Sequence, residues 1–203
     1  MTAAEPLGYT DPFSGSEGWV KRYGDQEVSQ FRGADMIAEH WGITRDDMEA
    51  FAVTSHERAL AATAEGRFER EIVPVAGLAR DEGPREPNWD KIRSLPTLRE
   101  GGRITAAVAS QISDASAAML VVSEQALADH GLTPRARIHH LSVRGEDPIR
   151  MLSAPIPATR HALGKAAMTL DDIDVVEINE AFASVVLAWL KELGADHAKV
   201  NVN

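Results

Sequence analysis

The chain has 203 residues, 44% of them hydrophobic, and a formal charge of −10. That is enough for one large or two small globular domains, and the charge has the wrong sign for a nucleic-acid surface. There is no cysteine, which excludes disulfides, thiolate metal sites and a cysteine nucleophile within this chain.

No apolar run approaches the ~20 residues of a membrane span, and residues 1–10 lack a signal-peptide pattern. A soluble, cytoplasmic protein with no membrane contact is expected. Residues 1–28 are rich in Gly, Pro, Ser and Asp, with aromatics at Tyr9, Phe13, Trp19 and Tyr23. They read as an extended surface segment. Met36, Ile37 and Trp41 place a short amphipathic helix at 34–41. Thr44-Arg45-Asp46-Asp47 then forms a capping box, and Met48, Phe51, Ala52, Ala59 and Ala62 give one apolar face to a helix over 45–65, stopped by Gly66. Residues 71–75 read as an edge strand because of Pro74.

Residues 79–103 form a charged, proline-punctuated loop, long enough to be functional or disordered. Small residues dominate 103–114, which lets a ligand or another element approach the backbone. A helical turn at 115–119, a buried strand at 120–122, a helix at 124–130 and a strand at 136–143 follow. Pro155-Ile156-Pro157 opens a helix through Ala166. A strand over 174–178 leads to a helix over 183–190 that stops at Gly194. Strands alternating with helices from about residue 117 predict α/β layering, with too few strands to cover both helix layers.

Asn179 stands where the last strand gives way to the last helix. A polar side chain at a strand's C-terminal end faces the crevice in which open α/β sheets bind ligands. Asparagine carries a donor and an acceptor and does not ionise, so it can orient a water or a carbonyl oxygen. Helix capping by Asn179 is the alternative. No metal site is expected. His139 and His140 point to opposite faces of the predicted strand, and Asp171-Asp172-Asp174 lacks the glycine and distal glutamate of a calcium loop. No nucleotide-binding or nucleophile-elbow motif is present. A serine hydrolase built from Ser110, Ser113 or Ser116 with Asp114 and His161 has the residue types but no spacing signature.

Asn179-Glu180-Ala181-Phe182, preceded by Val175-Val176-Glu177 and followed by Val200-Asn201-Val202-Asn203, resembles the thiolases, acyl-CoA C-acyltransferases. Glu65-Gly66-Arg67-Phe68 with Glu71-Ile72-Val73-Pro74, Thr105-Ala106 through Ser110-Gln111-Ile112-Ser113-Asp114, and Pro155-Ile156-Pro157-Ala158-Thr159 are similar to further thiolase stretches in the same order. The likeness covers about 30–203 and is nearest to actinobacterial thiolases of fatty-acid or steroid breakdown. It implies an incomplete layered αβαβα thiolase fold. Residues 1–111 would be loop domain, 112–134 the close of the first half, and 135–203 the start of the second.

The resemblance also implies a function: thiolytic cleavage of a 3-ketoacyl-CoA, or the reverse Claisen condensation, with coenzyme A as substrate and no cofactor. Ser110 would lie along the pantetheine arm, with Arg85 and Arg93 as candidates for the coenzyme A phosphates and Phe182 for substrate contact. Asn179 would hold the water that, with a histidine, stabilises the thioester oxyanion. The partners implied are acyl-CoA, coenzyme A and further copies in a homodimer or homotetramer. Ser29-Gln30-Phe31 stands where many short-chain members carry His-Met-Gly, so the acyl pocket wall differs.

Thiolases use two cysteines and a Gly-His-Pro loop, and this chain has neither. The first cysteine would fall before Met1 and the histidine loop after Asn203, as in the middle of a thiolase. A serine hydroxyl is a poor substitute for a thiolate, so the chain alone is expected to be inactive. The competing expectation is a non-catalytic thiolase-like module that binds a CoA ester or a partner subunit.

Overall fold

The computed structural model describes residues 16–203; Tyr9 and Phe13 lie outside them. The first helix, α1 (Glu17–Tyr23), stands where an extended segment was expected. Ser16 caps it by accepting from the Trp19 amide, an acid opens it, and Lys21 and Arg22 close it. Those charges suit the helix dipole, and the Trp19 and Tyr23 rings meet one turn apart at 4.5 Å, tilted by 47°. In α2 (Gln30–His40), Ser29 is the cap, so the helix begins earlier than its apolar residues alone suggest. The next helix, α3 (Arg45–Ala64), has the predicted capping box: the Asp47 amide donates to Thr44 Oγ1 at 3.1 Å and the Thr44 amide donates to Asp47 Oδ2 at 2.8 Å.

Three short or peripheral helices follow: α4 (Trp89–Ser94), α5 (Glu124–Asp129) and α6 (Pro155–Ala166). The last, α7 (Ala183–Leu193), runs through the middle and packs on α2, α3 and α6. Its sequence explains that position. Ala183, Val185, Val186, Ala188 and Trp189 are all buried. The two polar groups that go in with them are paired: Ser184 Oγ donates to the Ala34 carbonyl at 3.0 Å and Trp189 Nε1 donates to Thr159 Oγ1 at 3.0 Å. Buried polar groups left unpaired would cost more than the packing returns. Gly194 ends the helix at φ 64°, a left-handed conformation glycine adopts without penalty.

The strands differ from expectation. Among the described residues β pairing is limited to single bridges: Val75 with Leu78, Thr97 with Thr105, Ala109 with Phe182, and Val176 in parallel with Val200. Residues 72–74 are irregular and Val75 makes only a bridge to Leu78, 115–122 and 136–143 have no regular structure and join no ladder, and 174–178 pairs only through Val176. The helical turn expected at 115–119 is absent. A strand is stable only when its amides and carbonyls find a ladder. Here Leu120 is 76% exposed and Val143 88% exposed, so neither the backbone nor the side chains of these segments have a covering layer among the described residues.

Candidate functional site

Two segments far apart in sequence make the site, and one antiparallel bridge joins them. The Ala183 amide donates to the Val108 carbonyl at 2.9 Å and the Ser110 amide donates to the Ala181 carbonyl at 3.0 Å, with Ala109 opposite Phe182. Ala107 and Ala109, on either side of the buried Val108, leave room for the backbones to come this close. Asp35 fixes the approach from upstream. Its Oδ1 accepts from the Arg103 and Ile104 amides at 2.7 and 3.2 Å, and a Cβ on Gly102 would stand 2.5 Å from its other oxygen. Any larger residue at 102 would push the carboxylate away.

The pairing forms one side of a cavity of about 220 Å³ that is open to solvent. Its walls come from α3 (Phe51, Ala52, Ser55, His56), from 106–111, and from Asn179, Glu180 and Ala183, with Arg85 at the edge. Asn179, Ser110 and Arg85 therefore meet in one place. Phe182 does not line the cavity. It is 4% exposed and meets Phe31 edge-on at 5.7 Å. Arg93 stands on α4, over the Trp89 ring at 5.2 Å, and is also absent from the lining.

Asn179 does not cap α7. Phe182 holds the N-cap position and no side chain caps the helix. The residues on either side of Asn179 are fixed. The Ile178 amide donates to Asn201 Oδ1 and the Ile178 carbonyl accepts from Asn201 Nδ2, both at 2.9 Å. Glu180 accepts from Ser55 Oγ and from Asn201 Nδ2, both at 2.7 Å. Asn201 adopts a left-handed φ of 48° and is 7% exposed. Arg58 holds its carbonyl at 3.0 Å and that of Val200 at 2.7 Å. The Asn179 amide itself makes no hydrogen bond among the described residues, and it keeps both a donor and an acceptor for a ligand.

Arg85 brings a positive charge to the edge of a cavity that also holds the Glu180 carboxylate. Arg85 donates to Gln111 Oε1 at 3.2 Å and to the Gly83 carbonyl at 3.3 Å. Burial, and then the Arg85 charge, keep the His56 imidazole below its ordinary range against the pull of Glu180. Ser110 Oγ has no hydrogen-bonded base among the described residues. His161 Nδ1 lies 3.1 Å from Ser142 Oγ instead, so the serines at 110–116 and Asp114 do not assemble with it.

His56 and Glu180 also line the cavity and Asn201 binds beside it, and none of the three is among the site residues expected from the sequence. For His56 a signal exists: Ser55-His56 interrupts the apolar face of α3 between Ala52 and Ala59. Among the described residues no group of three or more His, Cys, Asp or Glu could hold a metal, and no helix is long and apolar enough to cross a membrane.

The model of the thiolase N-terminal domain matches residues 25–125 and that of the thiolase C-terminal domain matches 132–203. The chain is 58% identical over 207 aligned positions to steroid 3-ketoacyl-CoA thiolase FadA6 of Mycobacterium tuberculosis, covering all of this chain and 51% of the relative. It is 41% identical to a 3-ketoacyl-CoA thiolase of Cronobacter sakazakii, over 84% of this chain and 48% of that one. Among solved structures, the Bacillus anthracis acetyl-CoA acetyltransferase superposes with a TM-score of 0.80 at 37% identity, over 87% of this chain and 48% of that one. Human mitochondrial 3-ketoacyl-CoA thiolase in complex with CoA gives 0.77 at 35%, over 85% and 45%. The described architecture is accordingly part of the α/β thiolase fold, and the chain spans about half the length of the curated relatives it matches. Ordered motifs, domain models and fold agree: the chain belongs to the thiolase family.

Proposed function

We propose that this chain forms the ester-binding wall of an acyl-CoA C-acyltransferase that cleaves a 3-ketoacyl-CoA by thiolysis or runs the reverse condensation. The observation that carries the reading is the Ala109–Phe182 pairing, which seats Ser110 and Asn179 in one cavity with Arg85 at its mouth. Ligand pockets for whole drug-sized molecules run from about 300 Å³. A cavity of about 220 Å³ suits the thioester and part of the pantetheine arm, with the nucleotide outside near Arg85. Asn179 orients a water on the thioester oxygen, where negative charge develops during attack. Ser110 contacts the pantetheine arm. Arg93 and Phe182 stay as secondary candidates, for a phosphate and for the acyl side.

The division into 1–111, 112–134 and 135–203, a cytoplasmic location and a homodimer or homotetramer complete the reading. The identity to a steroid thiolase favours a bulky acyl group, and Phe31 in place of glycine is consistent with a reshaped acyl wall.

The chain by itself does not catalyse thiolysis. It has no cysteine, and removing nucleophile and base together typically costs ~10⁶ in rate. The same fact favours a second reading, a non-catalytic module that binds a CoA ester or a partner subunit. Calorimetric titration with acetyl-CoA and an assay of acetoacetyl-CoA thiolysis test both. Binding is expected, weakened about tenfold or more by Arg85→Ala, as for loss of a charge-assisted hydrogen bond, with no thiolysis. Turnover at rates typical of enzymes would overturn the assignment of inactivity. Absence of any binding would overturn the ester site.

A further inference from the structure

We propose that Asn201, Glu180 and Ser55 are positioning residues that set the reach of Asn179 into the cavity. The inference rests on the reading of Asn179 as the group that orients a water on the thioester oxygen. Asn179 sits between two held neighbours. Asn201 binds both backbone groups of Ile178 at 2.9 Å, and the same Nδ2 reaches Glu180 Oε1 at 2.7 Å. The other Glu180 oxygen is taken by Ser55 on α3 at 2.7 Å. Both carboxylate oxygens of Glu180 and the side-chain amide of Asn201 are thus committed to holding the chain on either side of position 179. Arg58, also from α3, anchors the Asn201 carbonyl in turn.

The clamp ties three pieces together: the loop carrying Asn179, the segment at 200–201, and the helix that walls the cavity. A loop held only by its own backbone would let the amide wander by more than a catalytic water tolerates. The left-handed backbone at Asn201 fits this assignment. Asparagine accepts that conformation more readily than most residues, and its amide can donate and accept at once. Aspartate keeps the backbone preference and loses the donor. Placed at 201 it would set a carboxylate against Glu180 and against the Ile178 carbonyl.

The test compares two ligands that differ only at the thioester. Acetyl-CoA carries the carbonyl, and S-ethyl-CoA, a thioether, does not. The wild-type chain is expected to prefer acetyl-CoA by about tenfold, the scale of one hydrogen bond, and Asn179→Ala removes the preference. Asn201→Asp is expected to remove it too while coenzyme A itself binds as before. Asn201→Asp combined with Glu180→Gln returns part of it. The amide introduced at position 180 can donate to the carboxylate introduced at position 201, and its oxygen can still accept from Ser55. If Asn201→Asp lacks the wild-type helical circular dichroism, Ser55→Ala is the reporter: because Ser55 also walls the cavity, the readout is the ratio of acetyl-CoA to S-ethyl-CoA affinity, which should fall severalfold. A residue with a merely structural role would weaken both ligands equally. A wild-type preference that survives these changes overturns the clamp alone. A wild-type chain that binds both ligands equally overturns the reading of Asn179, and the clamp falls with it.

Discussion

Thr44 and Asp47 each satisfy the other's backbone amide at the head of α3. A pair of this kind is worth about 1 kcal/mol, so Thr44→Ala should lower stability by about that amount in urea unfolding. The helix content of the native state should be unchanged. Two histidines give a second prediction. Burial first, then Arg85 for His56 and Arg58 for His197, hold both imidazoles below their ordinary value of 6.5. The unfolded chain therefore takes up protons before the folded chain does. Stability is complete above about pH 6.5 and is lost as pH falls below it toward the folded values. Melting temperature should drop over that interval, and His56→Gln with His197→Gln should flatten the drop. At this scale the sequence singles out Asn179 as a candidate, because a polar residue between a β-branched run and an apolar helix is visible in one dimension. Asn201 is not singled out in this way, because its contacts to Ile178, Glu180 and Arg58 exist only in the folded chain.

Helices were readable where local signals agreed. The capping box, the stripe of α3, the prolines of α6 and the glycine after α7 each place a boundary within a few residues. α1 was hidden by glycine- and serine-rich surroundings. Strands were readable as β-branched runs but not as ladders, because pairing is a property of two segments. The decisive pairing, Ala109 with Phe182, joins a run of small residues to a helix entrance, and neither looks like a strand. The elements also rank in stability. Trp189 is 2% exposed at the centre of α7, whereas Val175 is 59% exposed. Trp189→Ala should cost about 3–5 kcal/mol and Val175→Ala less than about 0.5, measured as shifts in the unfolding midpoint. Equal costs would mean that α7 is not the centre of the core.

As a whole, the described residues combine one core around α7 with a long apolar fringe. Ile112, Met119, Leu120, Ile138, Leu141 and Val143 are all exposed. Unpaired backbone carrying exposed apolar side chains is a template for association with other chains. The chain should self-associate as concentration rises, followed by light scattering. Leu141→Lys with Val143→Lys should reduce that without lowering the melting temperature of the helical core. An unchanged scattering profile would show that the fringe is covered in solution.

The cavity between α3, residues 106–111 and the Asn179 loop joins the fold to the proposed chemistry. A titration of acetyl-CoA into the ¹⁵N-labelled chain, followed by amide chemical shifts, tests it directly. The largest shifts are expected at 106–111 and at 179–183, with Arg85 and His56 following. Shifts confined to other surfaces, with these amides unmoved at saturation, would contradict it.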